Sequence, residues 1–195
     1  VGRFRTLDEA EQVLRDGVAD LVHLTRAHIA DPDIVRKTRA GHPEQVRPCI
    51  GCNQACWMGT NLGYPIACTV NPAAGSEGTL AEELLVPALH PGHVLVVGGG
   101  PGGMEAARTA ALKGHRVTLL EASPHLGGQV ALARRGPRLH TIGDITQWLE
   151  DEITRLGVAV HTNTYVEAGD VLEALRRAGG IPVAGTQPTP GGRPR

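Results

Sequence analysis

The spacing of apolar positions changes along the chain, and each change predicts a different element. Leu7, Ala10, Val13 and Leu14 recur at the interval of one helix face. In front of them Thr6-Leu7-Asp8-Glu9 supplies a capping box, and Gly17 suits the residue just past the helix end. Asp20-Leu21-Val22-His23-Leu24 is mostly apolar and too short for a helix, which predicts a strand buried on both faces. Asp31-Pro32-Asp33 predicts the next helix start, with an N-cap, a proline at the first position and an acidic first turn before Ile34-Val35-Arg36-Lys37. Turn, helix, strand, loop and helix compose a β/α unit, and Gly2-Arg3-Phe4 suits the end of an earlier strand.

A polar connector, Gly41 to Pro48, and a small-residue, acidic, Pro-flanked stretch between 73 and 91 separate this pattern from a second one. His93-Val94-Leu95-Val96-Val97 predicts a buried parallel strand that runs into Gly98-Gly99-Gly100-Pro101-Gly102-Gly103 and a helix from Met104 to Lys113. Arg116 to Leu120 predicts a second strand ending at Glu121. A helix from about Ile142 to Leu156, with Trp148 and Leu149 on its apolar face, and a third strand at Val158-Ala159-Val160 follow. Asp170 to Leu175 begins a further helix or a returning strand. Gly179 to Arg195 is rich in Gly, Pro and Arg without apolar period, and reads as a disordered or non-native tail.

Composition narrows the partners. With 41% apolar and 20% charged residues over 195 positions, the chain has the make-up of a globular protein. A net charge of −1 and a pI near 6.8 provide no field that steers toward nucleic acid or an anionic membrane. No apolar run approaches the roughly 18–20 residues needed to cross a bilayer. The absence of a signal sequence and of an initiator Met fits a cytoplasmic protein whose true start lies upstream.

Two motifs carry chemistry. All four cysteines, Cys49, Cys52, Cys56 and Cys68, fall within twenty residues at the spacing Cys-x2-Cys-x3-Cys-x11-Cys. Two disulfides are disfavoured by the absence of a secretory signal. Three ligands in a tight loop and a fourth at a distance suit the corners of an iron-sulfur cube; structural zinc more often uses two Cys-x2-Cys knuckles. Both stay open on spacing alone. The second motif is Gly98-x-Gly100-x-x-Gly103 after a strand, with Glu121 lying 23 residues beyond Gly98. The glycines permit a tight turn, close approach of amides to a pyrophosphate, and helix-on-strand packing. The acid suits ribose hydroxyls and repels a 2′-phosphate, favouring FAD, NAD or ADP. Gly127-Gly128-Gln129 would let backbone approach a flavin or its phosphates. A weaker signal comes from Gly2-Arg3 and Thr25-Arg26, which occupy the places of a phosphate site if the first segment ends a β/α barrel.

In this order the motifs resemble the flavin-dependent reductases and dehydrogenases typified by 2,4-dienoyl-CoA reductase and trimethylamine dehydrogenase. The resemblance rests on Gly2-Arg3, Thr25-Arg26 and Ala30-Asp31-Pro32, on Cys49-Ile50-Gly51-Cys52-Asn53 through Cys68-Thr69-Val70-Asn71-Pro72, and on Gly98 to Gly103 with Glu121 and Gly127-Gly128-Gln129. It implies an α/β chain in four parts. Residues 1–45 would be the C-terminal end of an FMN-binding TIM (β/α)8 barrel, 46–90 a 4Fe-4S cysteine loop and linker, 91–178 a partial Rossmann-like FAD/NAD(P)-binding domain, and 179–195 the tail. It also implies FMN at Gly2, Arg3, Thr25 and Arg26, and a 4Fe-4S cluster on Cys49, Cys52, Cys56 and Cys68. FAD, or ADP in the amine dehydrogenase branch, would lie at Gly98, Gly100, Pro101, Gly103, Glu121, Gly128 and Gln129. Electrons would run from NAD(P)H through FAD and the cluster to FMN, reducing a small-molecule or acyl-CoA substrate. The three-residue gap between Cys52 and Cys56 favours the reductase branch; an amine dehydrogenase, or a nucleotide-binding module with structural zinc, are the alternatives. No catalytic acid, base or nucleophile is assigned.

Overall fold

The computed structural model describes residues 2–178 and 181–184. Its backbone divides into two compact units: the chain up to Leu85 together with Pro137–Trp148, and Val86–Gly136 together with the chain from Leu149 on.

In the first unit, helix α1 (Leu7–Arg15) has both halves of its capping box. The Thr6 hydroxyl accepts from the Glu9 amide at 3.2 Å, and the Glu9 carboxylate accepts from the Thr6 amide at 3.2 Å. Gly17 follows the helix at φ 66°, as a left-handed C-terminal residue should. Ala10, Leu24, Ala27 and Ile34 form a small core, with Phe4, Leu7, Val22 and Val46 packed against it.

Four expectations for this segment need correction. Asp20–Leu24 is not a strand: Leu24 is buried and Val22 packs on the core, but Leu21 is 83% exposed. A strand exists only through its ladder, and the one sheet among the described residues does not include this run. Gly2-Arg3-Phe4 is likewise unpaired, and Arg3 at φ 58° departs from extended backbone. The following residues, expected as a loop, form helix α2 (Thr25–Ala30). Helix α3 starts only at Ile34 and runs to Arg39. Asp31 does not cap it in the expected way; its Oδ1 accepts from the Asp33 amide at 3.0 Å, closing a turn over Pro32. Short turns α4 (Gly59–Asn61) and α5 (Glu77–Leu80) complete the α-helices of the described residues up to 85.

The second unit is built on a parallel sheet in the order β3-β2-β1-β4, comprising β1 (His93–Val97), β2 (Arg116–Leu120), β3 (Ala159–His161) and β4 (Ile181–Ala184). Helix α6 (Pro101–Leu112) returns the chain from β1 to β2. It begins three residues earlier than Met104, because Pro101 sits at the first turn, where a missing N–H leaves nothing unsatisfied. Helix α7 (Gly128–Ala133) precedes α8 (Asp144–Arg155), and a separate 3-10 turn at His140–Gly143 replaces the expected earlier helix start. Val96, Met104, Leu119, Leu149 and Ile153 are fully buried. Arg108 and Glu152 are buried with them and bonded at 2.9 Å, joining α6 to α8, and Arg155 holds the other Glu152 oxygen at 2.7 Å.

Helix α9 (Ala168–Ala178) takes up the Asp170–Leu175 segment. The tail expectation is corrected at Ile181–Ala184, which pairs in parallel with β1 as an edge strand. Its apolar Ile-Pro-Val-Ala run fits a sheet, and an edge tolerates Pro182, which cannot donate to a ladder. The rest of that expected tail lies outside the described residues. No described helix is long and apolar enough to cross a membrane.

Candidate functional site

The first unit gathers the cysteines. Cys49, Cys52, Cys56 and Cys68 are all reduced and half-buried, and all four line one pocket together with Arg26 and Asn53. Two left-handed residues, Gly51 at φ 68° and Asn53 at φ 56°, fold the segment back on itself. A single π-helical turn, Gln54–Met58, then presents Cys56. Such wide turns recur at functional sites because they re-aim side chains. Cys68 returns on the segment before Gly75, where a Cβ would collide with the Ile66 carbonyl.

Side chains from distant positions clamp this loop. Arg5 donates from Nε to the Cys49 carbonyl at 2.6 Å and pairs with Asp144. Arg47 is buried; its guanidinium donates to the Val70 carbonyl at 2.7 Å and lies 4.3 Å above the Trp148 ring. The Arg47 amide donates to Asp31 at 2.7 Å, and Lys37 Nζ holds the same carboxylate at 2.7 Å. Asn71 donates to the Ile29 carbonyl at 2.9 Å, and Thr141 to the Ile50 carbonyl at 3.3 Å. Among these clamps only Asp31 and Asn71 belong to predicted motifs, and neither was assigned this part: Asp31 was expected as a helix cap. Cysteine spacing carries no trace of partners 16 to 91 residues away.

The thiols sit in an environment that suits metal-bound sulfur. Gly51 donates its amide to Cys49 Sγ at 3.4 Å, and Cys52 Sγ lies 3.3 Å from the Thr69 hydroxyl. Burial pushes the Cys68 thiol up; the amides of Val70 and Asn71 oppose this, while charge on Cys49 and Cys56 adds to it. A cube holds thiolates at separate corners, and four thiols lining one pocket can supply them.

Of the residues expected to meet a flavin phosphate, Gly2, Arg3 and Thr25 are exposed. Arg26 is half-buried on the cysteine pocket instead, with Nη1 donating to Asn53 Oδ1 at 2.7 Å.

The second unit assembles the glycine turn as expected. Gly98 has φ 104°, and its amide bonds the Leu120 carbonyl at 2.8 Å, tying the end of β1 to β2. A Cβ on Gly103 would strike the Gly98 carbonyl, so α6 packs this close only over glycine. A Cβ on Gly100 would point into open space, which leaves room for a ligand over the amides. Glu121 receives the Gly99 amide on Oε2 at 2.6 Å and the Ser123 amide on Oε1 at 2.7 Å. Burial acts to raise its pKa, but those amides, with Ser123's side chain and the Ala122 amide, hold it below the ordinary carboxylate value. The carboxylate is therefore charged at neutral pH and keeps lone pairs for a ribose. Gly127 (φ 107°) donates to the Gly99 carbonyl at 2.8 Å, and the Cβ position of Gly128 (φ 50°) lies 3.1 Å from Gly100 Cα. The Gly127-Gly128 turn thus backs the first loop, while Gln129 is exposed.

A parallel α/β sheet with a glycine turn in one unit and a four-thiol pocket in the other define the class. The FAD dependent oxidoreductase family matches residues 93–181. The chain is 40% identical over 189 residues to the NADH oxidase of Thermoanaerobacter brockii, covering 96% of this chain and 29% of that protein. The 2-naphthoyl-CoA reductase in complex with 2-naphthoyl-CoA superposes with TM-score 0.78 at 36% identity, over 84% of this chain and 25% of the other. The 6-hydroxypseudooxynicotine amine oxidase of Pseudomonas geniculata N1 superposes with TM-score 0.84 at 35% identity, over 94% and 28%. The chain belongs to the flavin oxidoreductases, in the group of NADH:flavin oxidoreductases and trimethylamine dehydrogenase relatives. It spans about a quarter of the length of these relatives.

Proposed function

We propose that this chain is the electron-transfer part of an oxidoreductase that uses FMN, FAD and a 4Fe-4S cluster to reduce an activated C=C bond with NAD(P)H. The observation that carries the proposal is the convergence of all four cysteines on one pocket, in a chain whose residues 93–181 match an FAD dependent family. Cys49, Cys52, Cys56 and Cys68 would hold the cluster, which when bound supplies the one-electron exchange that links two-electron cofactors.

The other roles belong to the protein. Gly98, Gly100, Pro101 and Gly103 would bring backbone amides to the pyrophosphate of FAD, and Glu121 would accept from the ribose hydroxyls. Gly128 and Gln129 would border the flavin side of that site. The exposed Gly2, Arg3 and Thr25, with Arg26 beside them in the same unit, would meet the FMN phosphate. The amides facing Cys49 and Cys68 would stabilise charge on sulfur and so favour the reduced state. Similarity to a naphthoyl-CoA reductase supports an acyl-CoA substrate, and similarity to an NADH oxidase supports a nicotinamide donor.

Similarity to an amine oxidase favours a second reading, in which an amine is the electron source and the nucleotide site holds ADP. Full-length protein purified without oxygen separates these. The reductase predicts four iron and four sulfide, FMN plus FAD after acid release, and bleaching of flavin by NADH or NADPH. Bleaching only by an amine, with ADP in place of FAD, would establish the second. Stoichiometric zinc without sulfide would exclude both and leave a nucleotide-binding module with a structural metal.

A further inference from the structure

We propose, on the footing that the four thiols hold a cluster, that Arg26 is a positioning residue of the cysteine site that fixes the loop between Cys52 and Cys56 and raises the cluster's reduction potential. Two independent observations place it there. Arg26 lines the same pocket as the four cysteines and is the sole cationic side chain among the described residues that do so. Its guanidinium also donates to Oδ1 of Asn53, the left-handed residue that follows Cys52 and opens the turn carrying Cys56.

The physical consequences are separable. A left-handed asparagine is tolerated but not preferred, so a charge-assisted bond to its side chain selects the backbone conformation that aims Cys52 and Cys56 into one pocket. The guanidinium is always protonated. Four thiolates bring negative charge, and adding an electron to the site makes it more negative. A nearby fixed cation therefore favours the reduced state, in a half-buried position where solvent screens it only in part. Asn53 is the one hydrogen-bond partner of Arg26 among the described residues, and a guanidinium has five N–H donors. Donors remain for sulfur in the pocket.

The test uses the full-length, cluster-loaded protein and its Arg26→Gln and Arg26→Lys variants. The cluster is titrated electrochemically with detection by electron paramagnetic resonance, and FMN is quantified in each variant. Arg26→Gln is expected to lower the ratio of reduced to oxidised cluster at a fixed poise by about threefold to tenfold, tenfold being 59 mV for a one-electron couple. Arg26→Lys, which keeps the charge, is expected to stay within about twofold of the parent. An unchanged ratio in Arg26→Gln overturns the proposal, and so does loss of FMN with the ratio intact, which would assign the side chain to flavin phosphate alone. If Arg26→Gln fails to hold four iron, iron release to a chelator is timed in Asn53→Ala. Release about threefold faster or more supports the proposal, and a parental rate overturns it. Absence of iron and sulfide from the parent protein would instead remove the cluster itself, a result distinct from any of these.

Discussion

The two units build their sites by opposite means. In the second unit the proposed ligand surface is backbone, namely the amides of the glycine turn, positioned by a parallel ladder and by the Glu121 carboxylate, which accepts from the Gly99 and Ser123 amides. In the first unit the proposed ligand surface is four side chains on an irregular loop, held by Arg5, Arg47, Asp31, Asn71 and Thr141. A backbone site is specified where it stands, by sterics at a few glycines. A side-chain site on a loop is specified elsewhere, by residues that never touch the ligand.

Substitutions should separate the two. Cys56→Ser is expected to lower iron retention by more than about a hundredfold, beyond the range usual for supporting residues, while FAD stays bound; loss of both cofactors together would show that the sites are not independent. Gly103→Val should act on the other unit, destabilising it by about 3 kcal/mol because a backbone carbonyl blocks the new side chain, and lowering FAD content with iron unchanged. Arg47→Met removes a buried hydrogen bond and a cation over an indole, for a loss of about 2 kcal/mol in denaturant unfolding; a variant as stable as the parent would take Arg47 out of the clamp.

Acid should weaken the second unit. Burial would raise Glu152, yet its bonds to Arg155 and Arg108 keep its pKa below the ordinary carboxylate value, and Glu121 is held low by amides. For groups depressed in the folded state, the stability they contribute is present above the unfolded value, about 4.3 for Glu, and is lost as pH falls through the folded value. Unfolding followed from pH 6 down to pH 3 should show this loss beginning near pH 4–5, and Glu152→Gln should flatten its slope. The smallest effect is expected at Thr6→Ala, about 1 kcal/mol, from loss of the α1 cap.

What could be read from the sequence follows the same division. The capping box at Thr6 and Glu9 and the packing of Gly103 on Gly98 are local, each fixed by neighbours within a few positions, and β1 and β2 were legible as short apolar β-branched runs around the glycine turn. The grouping of the cysteines was legible because their spacing is itself the signal. Arg47 was not, because its partners Val70 and Trp148 lie 23 and 101 positions away. The apolar run at 20–24 misled because composition reports burial but not whether a ladder partner exists. Ile181–Ala184 misled in reverse: a proline amid glycine-rich surroundings masked a run that an edge position accepts.

The bond from Arg47 to the Val70 carbonyl encloses every cysteine of the chain within a ring 23 residues long. Closing a flexible ring of that length costs about 3 kcal/mol in its length-dependent part of the chain entropy. Because protein atoms close it, sulfur–metal bonds of the proposed cluster would not have to. A cluster destroyed by oxygen would then leave behind a closed ring, and its replacement would be an insertion rather than a refolding.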